Sequence, residues 1–508
     1  MTLAALAPTA SARSDTAPAP GEPVTVTADE LPTWQTDGVV LSIAMVGDTV
    51  YVGGNFDHIR PPGTAPGDPQ EQPRANLAAF NAATGQPLAW DPAVESNPGQ
   101  ETEVRDIDAA PDGRTLYIAG KFTKVNGLSR PRIASFTLPD GSLTTFRHDV
   151  SAAIEALTVS PTTVYAGGHF TSVGTAARQR LAAFDTTTGA LTAWAPTADR
   201  PVHALTMSPD GGQVVIGGKF DLLNGNPPHG LGAVYADNGT SAPWETGVDY
   251  VTETRMSWVT DLVTDHDTVY ASAAGQSTFD GRLAVEADGG RLRWIDQCLG
   301  GTEAITLLDG VLYSGSHAHD CSSQPDGFPE LHPNYQRLLA EPARPTGDTP
   351  PILHWFPVTN SGAAPYNQGP RAMDNNGDYL WIGGDFTTVN KRPQQSLTRF
   401  APLRVSADVN TPEALDAPTV TGGTSGSLKV DWTQTWDRDN RRLKYEVIRD
   451  GTTVVHTAES ASRYWDLQPM TFADTGLAPG SSHTYSVRVT DPFGNSTRSP
   501  QSTPAQAG

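Results

Sequence analysis

The stretch VYAGGHFTSVG at residues 164–174 runs as a strand through two glycines into a turn, and variants of it recur along the chain. VYVGGNFDHIR stands at 50–60, LYIAGKFTKVNG at 116–127, VVIGGKFDLLNG at 214–225 and LWIGGDFTTVN at 380–390. A longer unit surrounds each copy. In VHALTMSPDGGQVVIGGKF (202–220) an alternating strand meets the turn Pro209-Asp210-Gly211-Gly212 and a second strand returns. In RLAAFDTTTGALTAWAP (180–196) another hairpin folds around Thr187-Thr188-Gly189. Turn residues stand where hairpins need positive φ, so each unit is two hairpins, or four short strands. Self-similarity of this kind at a period of about 40–50 residues predicts a β-propeller.

Two markers count the units. The residue two places before the glycines or their equivalents is Tyr51, Tyr117, Tyr165, Val215, Tyr270, Tyr313 and Trp381 in turn, and a closing aromatic falls at Trp34, Trp90, Phe146, Trp194, Trp244, Trp294 and Trp355. Both series predict seven blades. The array opens on a closing residue, in LPTW (31–34), and ends at SLTRFAP (396–402) without one. The strand around Trp34 is therefore expected to complete the last blade, which closes the ring and removes an exposed edge. Glycine weakens a strand interior unless another group must come close, so Gly53-Gly54, Gly167-Gly168, Gly217-Gly218 and Gly383-Gly384 are expected where blades crowd together. The closing aromatics are expected as apolar wedges between neighbouring sheets.

The chain has 508 residues, with 56 acidic against 34 basic side chains and a net charge of −22, a field that repels nucleic acid. With 49 Gly, 42 Pro and 37% hydrophobic residues it suits short strands and many turns. No apolar run approaches the roughly 20 residues that cross a bilayer, so no membrane span is expected. Residues 1–30 read as a signal-peptide remnant and disordered spacer: an apolar stretch ends at Ala10-Ser11-Ala12, an A-x-A pattern, and a Pro/Ala-rich run follows. Export to the extracellular space or cell surface fits the cysteine count, Cys298 and Cys321 alone, as one disulfide.

After 402 the repeat stops. Residues 403–415 read as a linker, 416–500 as a β-sandwich and 501–508 as a linker-like tail. LKVDWTQTWDRDNRRLKYEVIRDG (428–451) and FADTGLAPGSSHTYSVRVTDPFGN (472–495) resemble a fibronectin type III domain, through Trp432, Tyr445, Leu477 and Tyr485. The last two match the family's tyrosine corner, in which a buried Tyr is tied back to the backbone. The GG-x-F-T-x-V turns with LAAFD-x-x-TG-x-L-x-x-W-x-P make the segment 34–402 resemble the actinobacterial secreted delta-60-type repeat propellers. That resemblance implies an exported or surface-associated protein with an appended sandwich domain, and it brings no catalytic residues. AFDTTTGALTAW is also similar to quinoprotein repeats, without a recognisable quinone-binding set.

Candidate sites follow from the alignment. Asn55, Lys121, His169, Lys219, His317 and Asp385 occupy the position after the glycines and share a strand face with the marker aromatic. In a propeller such positions lie on a ring, at the channel mouth or simply in solvent. The irregular stretch YSGSHAHDCSSQPDGFPELHPNYQRLL (313–339) adds His319 and Asp320. There His317, His319 and Asp320 are candidate ligands for a divalent metal, against the simpler reading of a Cys298–Cys321 staple flanked by histidines. No cofactor is expected. Asp106 with Asp108, and Asp265 with Asp267, are carboxylate pairs of the kind glycosidases use, in a chain where Asp is common in turns. Asp437, Asp439 and Asp491 have the chemistry of a calcium loop, against the simpler reading of a solvated acidic loop. G-x-S-x-G, H-E-x-x-H and P-loop patterns are absent from the sequence. The leading expectation is a secreted, monomeric, non-catalytic scaffold that binds an extracellular glycan or protein. Its rival is a secreted polysaccharide-active enzyme, a glycoside hydrolase or lyase, or the targeting subunit of one.

Overall fold

The computed structural model describes residues 23–245, 256–276, 279–362, 368–424 and 426–508, and among these there is no helix. The expected signal segment around Ala10–Ala12 lies outside the described residues. Two compact units are formed: Glu30–Ile352 with Pro357–Pro402, and Met1–Asp29 with Leu353–Phe356 and Leu403–Gly508.

The larger unit is built from successive antiparallel meander sheets, seven among the described residues. The first comprises Val39–Val46, Thr49–Asn55 and Leu77–Asn81; the second Glu103–Ala109, Thr115–Lys121 and Ile133–Thr137. The third comprises Ile154–Val159, Thr163–Gly168 and Leu181–Asp185; the fourth Val202–Met207, Gln213–Gly218 and Leu231–Tyr235. Met256–Asp265, Thr268–Gln276, Arg282–Glu286 and Leu292–Asp296 form the fifth. Thr302–Leu308, Val311–Ala318 and Gln336–Pro342 form the sixth, and Pro370–Asn375, Leu380–Gly384 and Leu397–Phe400 the seventh. Among the described residues the expected fourth strand is regular only in the fifth sheet. In the first four it shrinks to one bridge, such as Phe80 with Pro87 or Phe184 with Leu191. The chain leaves the sheet there because the closing aromatic turns toward the neighbour.

That turn makes the wedge. Trp90 packs edge-on against Tyr51 of the first sheet and Phe136 of the second, both with centroids 5.1 Å away. Its Nε1 donates to Gly141 O at 3.0 Å. Gly141, at φ 67°, caps the turn between the second sheet's last two segments, and a Cβ there would sit 2.2 Å from the indole. Phe146 and Trp194 repeat the arrangement against Tyr117 and Tyr165. Trp34, from outside the seven sheets, shares a buried cluster with Val40, Val52 and Phe80 of the first sheet and Trp381 and Leu397 of the seventh. Just ahead of it, the Leu31 N–H donates to Arg399 O at 3.0 Å.

The first glycine of each pair has a specific reason. A Cβ on Gly217 would lie 2.4 Å from Val259 of the following sheet, and one on Gly383 would lie 2.3 Å from Val40 of the first. Gly53, Gly167 and Gly315 meet Val104, Val202 and Pro370 in the same way. The inner ends of adjacent sheets approach too closely there for any side chain.

The smaller unit has a three-stranded sheet (Thr419–Gly422, Ser427–Thr433, Pro469–Thr475) and a four-stranded one (Thr453–Ala461, Arg442–Arg449, Tyr485–Thr490, Ser496–Arg498). They share one core containing Val430, Trp432, Tyr445, Val447, Tyr485 and Val487. The Tyr485 hydroxyl donates to the Asp474 carboxylate at 2.7 Å rather than to backbone, whereas Tyr445 donates to Thr435 O at 3.0 Å. Several expectations change here. Thr25–Asp29, expected as spacer, are buried, and Trp355, expected to close a blade, donates from Nε1 to Thr27 O at 3.3 Å. The expected linker contributes Leu415 to the core, and the expected tail forms the strand Ala505–Gln506 paired with Ser482–His483. Hydrogen bonding and apolar burial, which composition does not reveal, order all three segments.

Candidate binding cavity

The second glycine of each pair accommodates a different neighbour. A Cβ on Gly54, Gly168, Gly218 or Gly384 would strike the carbonyl of Val39, Ala153, Pro201 or Gly369, each at or just before the start of its own sheet's innermost strand, at 2.0–2.5 Å. That strand bulges beside it. In all seven sheets the register slips by one residue: between Val40 and Ser42, Val104 and Asp106, Ile154 and Ala156, Val202 and Ala204. The same slip falls between Val259 and Asp261, Thr302 and Ala304, and Pro370 and Ala372. A β-bulge leaves its extra residue unpaired and re-aims the side chain. The extra residues are Leu41, Arg105, Glu155, His203, Thr260, Glu303 and Arg371, and all seven line one cavity of about 520 Å³. Lys121, Ala153, His169 and Trp258 complete its wall.

The charges in this wall are paired. Arg105 reaches Glu155 at 3.2 Å and also contacts Glu103, while Lys121 lies 3.0 Å from Glu101 and 3.2 Å from Glu103. His169 Nε2 is 3.3 Å from Glu155, and Arg371 is 3.5 Å from Glu303. Burial alone would raise the Glu155 carboxyl, but the bond with His169 and the charge of Arg105 bring it below its ordinary value. Burial lowers His203 to about 4, so this imidazole is neutral at physiological pH, and its Nε2 has no hydrogen-bond partner among the described residues. Lys219 places its ammonium 4.0 Å over the Trp258 ring. The wall therefore offers alternating donors and acceptors in fixed positions, one indole, and no large surplus of either charge.

On the same inner strands lie four more carboxylates. Asp106 accepts the Leu157 N–H at 2.6 Å, Asp108 that of Val159 at 2.9 Å, Asp261 that of Ile305 at 2.9 Å and Asp374 that of Met45 at 2.7 Å. Each acceptor is one sheet behind its donor, with the seventh sheet reaching the first. Burial pushes these carboxyls up to about 7, about 8, about 6 and about 7 respectively. Asp106 and Asp108 thus serve as clamps between sheets. Asp265 and Asp267 are bound by Arg344 at 3.0 and 2.6 Å, and Asp267 also by Arg293 at 2.7 Å.

Of the residues singled out by the repeat alignment, Lys121 and His169 line the cavity and Lys219 covers its indole. Asn55 instead donates to Thr102 O at 2.8 Å, Asp385 accepts the Gly369 N–H at 2.6 Å, and His317 Nε2 accepts the Gly301 N–H at 3.2 Å. His319 pairs with Glu330 at 3.1 Å, and Asp320 accepts the Ser322 N–H at 2.8 Å, so His317, His319 and Asp320 turn to separate partners. Among the described residues no group of three His, Cys, Asp or Glu side chains is disposed to hold a metal ion as it stands. Cys298 and Cys321 form a disulfide, both buried. The glycine repeat does not point to the bulge residues, because they stand on the strand that precedes the glycines. The signal in the preceding strand is Val-Arg-Asp, Ile-Glu-Ala, Val-His-Ala and Thr-Glu-Ala, an ionisable side chain recurring at one slot of the repeat.

A family model described as the Rax2 C-terminal beta propeller domain matches residues 76–227. A search of curated proteins finds no match. Among solved structures, the crystal structure of the Myceliophteria thermophila Cps50 (Swd1) beta-propeller domain aligns over 73% of this chain and 99% of its own, at 10% identity and a TM-score of 0.41. Among the described residues the protein is all-β, and it contains a β-propeller domain. No helix among the described residues is long and apolar enough to cross a membrane.

Proposed function

We propose that the protein is a secreted or cell-surface scaffold whose propeller binds a neutral, polyhydroxylated ligand, a glycan, without transforming it. In this reading the seven sheets are seven blades, with the N-terminal segment around Trp34 closing the ring. The smaller unit is a fibronectin type III-like arm, and the protein acts as a monomer. The observation that carries the reading is the cavity built from one bulge residue of every sheet. Its wall holds donors and acceptors in pre-paired positions, which suits hydroxyl groups and gives an anionic or cationic ligand no net attraction. The buried disulfide supports an oxidising compartment.

The rival reading, a polysaccharide-active enzyme, draws on the raised carboxyls of Asp106 and Asp108, since a general acid needs such a value. Against it, an oxygen of each is already committed to a neighbouring sheet's N–H. Glycan-array screening of wild type, His203→Ala and Trp258→Ala, paired with a reducing-end assay, separates the two. Binding that both substitutions weaken, with no new reducing ends, is expected. Turnover of a polysaccharide would establish the enzyme, and retention of binding by both variants would move the site elsewhere.

A further inference from the structure

The smaller unit gathers acidic side chains in its interior. Asp29, Asp408, Asp437, Asp439 and Asp491 are only 4, 6, 4, 3 and 5% exposed, where a solvated loop was the simpler expectation. They arrive from four separate segments: the N-terminal stretch, the 403–415 segment, the loop before Arg442–Arg449, and the turn before Ser496–Arg498. Into their midst projects the wholly buried Asn440. Its Nδ2 lies 2.6 Å from Asp408, 2.8 Å from Asp439 and 3.3 Å from Asp437. Asn495 Nδ2 bridges Asp408 at 3.2 Å and Asp491 at 2.8 Å.

Asn440 Oδ1, on the same amide, has no hydrogen-bond partner among the described residues. An orphaned acceptor at full burial calls for a positively polarised neighbour. The carboxylates call for one too. Asp408 and Asp439 lie 2.6 and 2.8 Å from the one Asn440 nitrogen, so two buried carboxylates stand side by side.

We propose that Asp408, Asp437, Asp439, Asp491 and the Asn440 side-chain oxygen form a calcium site in the C-terminal unit. The donors are all carboxylate or amide oxygens, the set that selects a hard cation over zinc or copper. With Asn440 Nδ2 in the centre, the acidic groups do not by themselves grip a metal ion. The two ends of an amide are nearly equal in size, so turning it over exchanges the donor for the orphaned acceptor and completes an all-oxygen set. Calcium replaces mutual repulsion by attraction and ties the Asp408 segment, the 437–440 loop and the 491–495 turn together.

The test uses the full-length chain, stripped with EDTA and titrated with calcium chloride at neutral pH by calorimetry, with thermal unfolding in parallel. One calcium per chain is expected, with a melting temperature that climbs with calcium and responds less to magnesium. Asp439→Asn is expected to fold in EDTA at least as well as wild type, because it removes a repelled charge, yet to bind calcium about tenfold more weakly or worse. Asn440→Ala is expected to lose the calcium response as well. Absence of both heat and thermal shift in wild type at millimolar calcium would overturn the proposal and leave shared protons as the stabiliser. An undiminished shift in Asp439→Asn would also overturn it, by moving the ion elsewhere.

Discussion

The Asp374 carboxylate of the seventh sheet accepts the Met45 amide N–H of the first at 2.7 Å, across 329 residues of chain. It is one of four such clamps, with Asp106–Leu157, Asp108–Val159 and Asp261–Ile305. Removing the acceptor strands a backbone donor beside the cavity. Asp374→Ala is expected to destabilise the protein by about 1–3 kcal/mol, and Asp374→Asn, which keeps an acceptor, by less. Urea denaturation of the two variants measures the difference. Equal losses would show that the clamp contributes through charge or packing instead.

These clamps make stability depend on pH in a definite direction. Burial raises Asp106 to about 7 and Asp108 to about 8, above the roughly 3.9 of an unfolded chain. The folded protein thus binds more protons, so the contribution is complete below about pH 4 and is lost as pH rises through about 7 to 8. Unfolding midpoints are expected to fall across that window in wild type, and to fall less steeply in Asp108→Asn. Parallel slopes in the two proteins would show that Asp108 is ionised throughout.

The close approach at the glycine pairs is equally testable. Gly217→Ala places a methyl 2.4 Å from Val259 Cγ1, whereas Gly347 has nothing within 4 Å of an added Cβ. Overpacking of this kind costs about 1–3 kcal/mol. Gly347→Ala, the control, is expected to stay within about 0.5 kcal/mol of wild type. Similar melting temperatures for the two variants would mean that adjacent sheets can yield at their inner ends.

Between the fifth and sixth sheets lies a buried ionic group. Arg282 forks onto Glu341 at 3.1 and 3.2 Å and also contacts Asp296, and all three side chains are essentially inaccessible. Arg282→Ala would leave two buried carboxylates facing each other. A loss of about 3–5 kcal/mol is expected near neutral pH, partly recovered on acidification as the carboxyls take up protons. Chemical denaturation at two pH values measures both. A loss that does not change with pH would point to the emptied volume rather than the stranded charge.

Much of the architecture was legible because it repeats. Tyr51, Tyr165 and Tyr270 recur with Trp90, Trp194 and Trp294 at equivalent places in copies of one unit, and they pack as wedge and partner. The paired glycines were legible as places of close approach. Which group approaches was not, because the Val259 side chain and the Pro201 carbonyl lie on different strands of different sheets.

By itself, the sequence determined the strand content, the propeller repeat, the disulfide partners and the kinds of side chain available. Tertiary structure decided which of them meet. The bulge that turns His203 and Glu155 toward the cavity is a register shift between two strands, and alternation within one strand cannot encode it. The acidic centre of the smaller unit brings Asp29, from a stretch that reads as spacer, to Asp408, Asp439 and Asp491, hundreds of residues further along the chain. Their burial depends on backbone hydrogen bonds, such as Ala28 N–H to Asp439 at 2.6 Å, that exist only once the chain has folded back on itself.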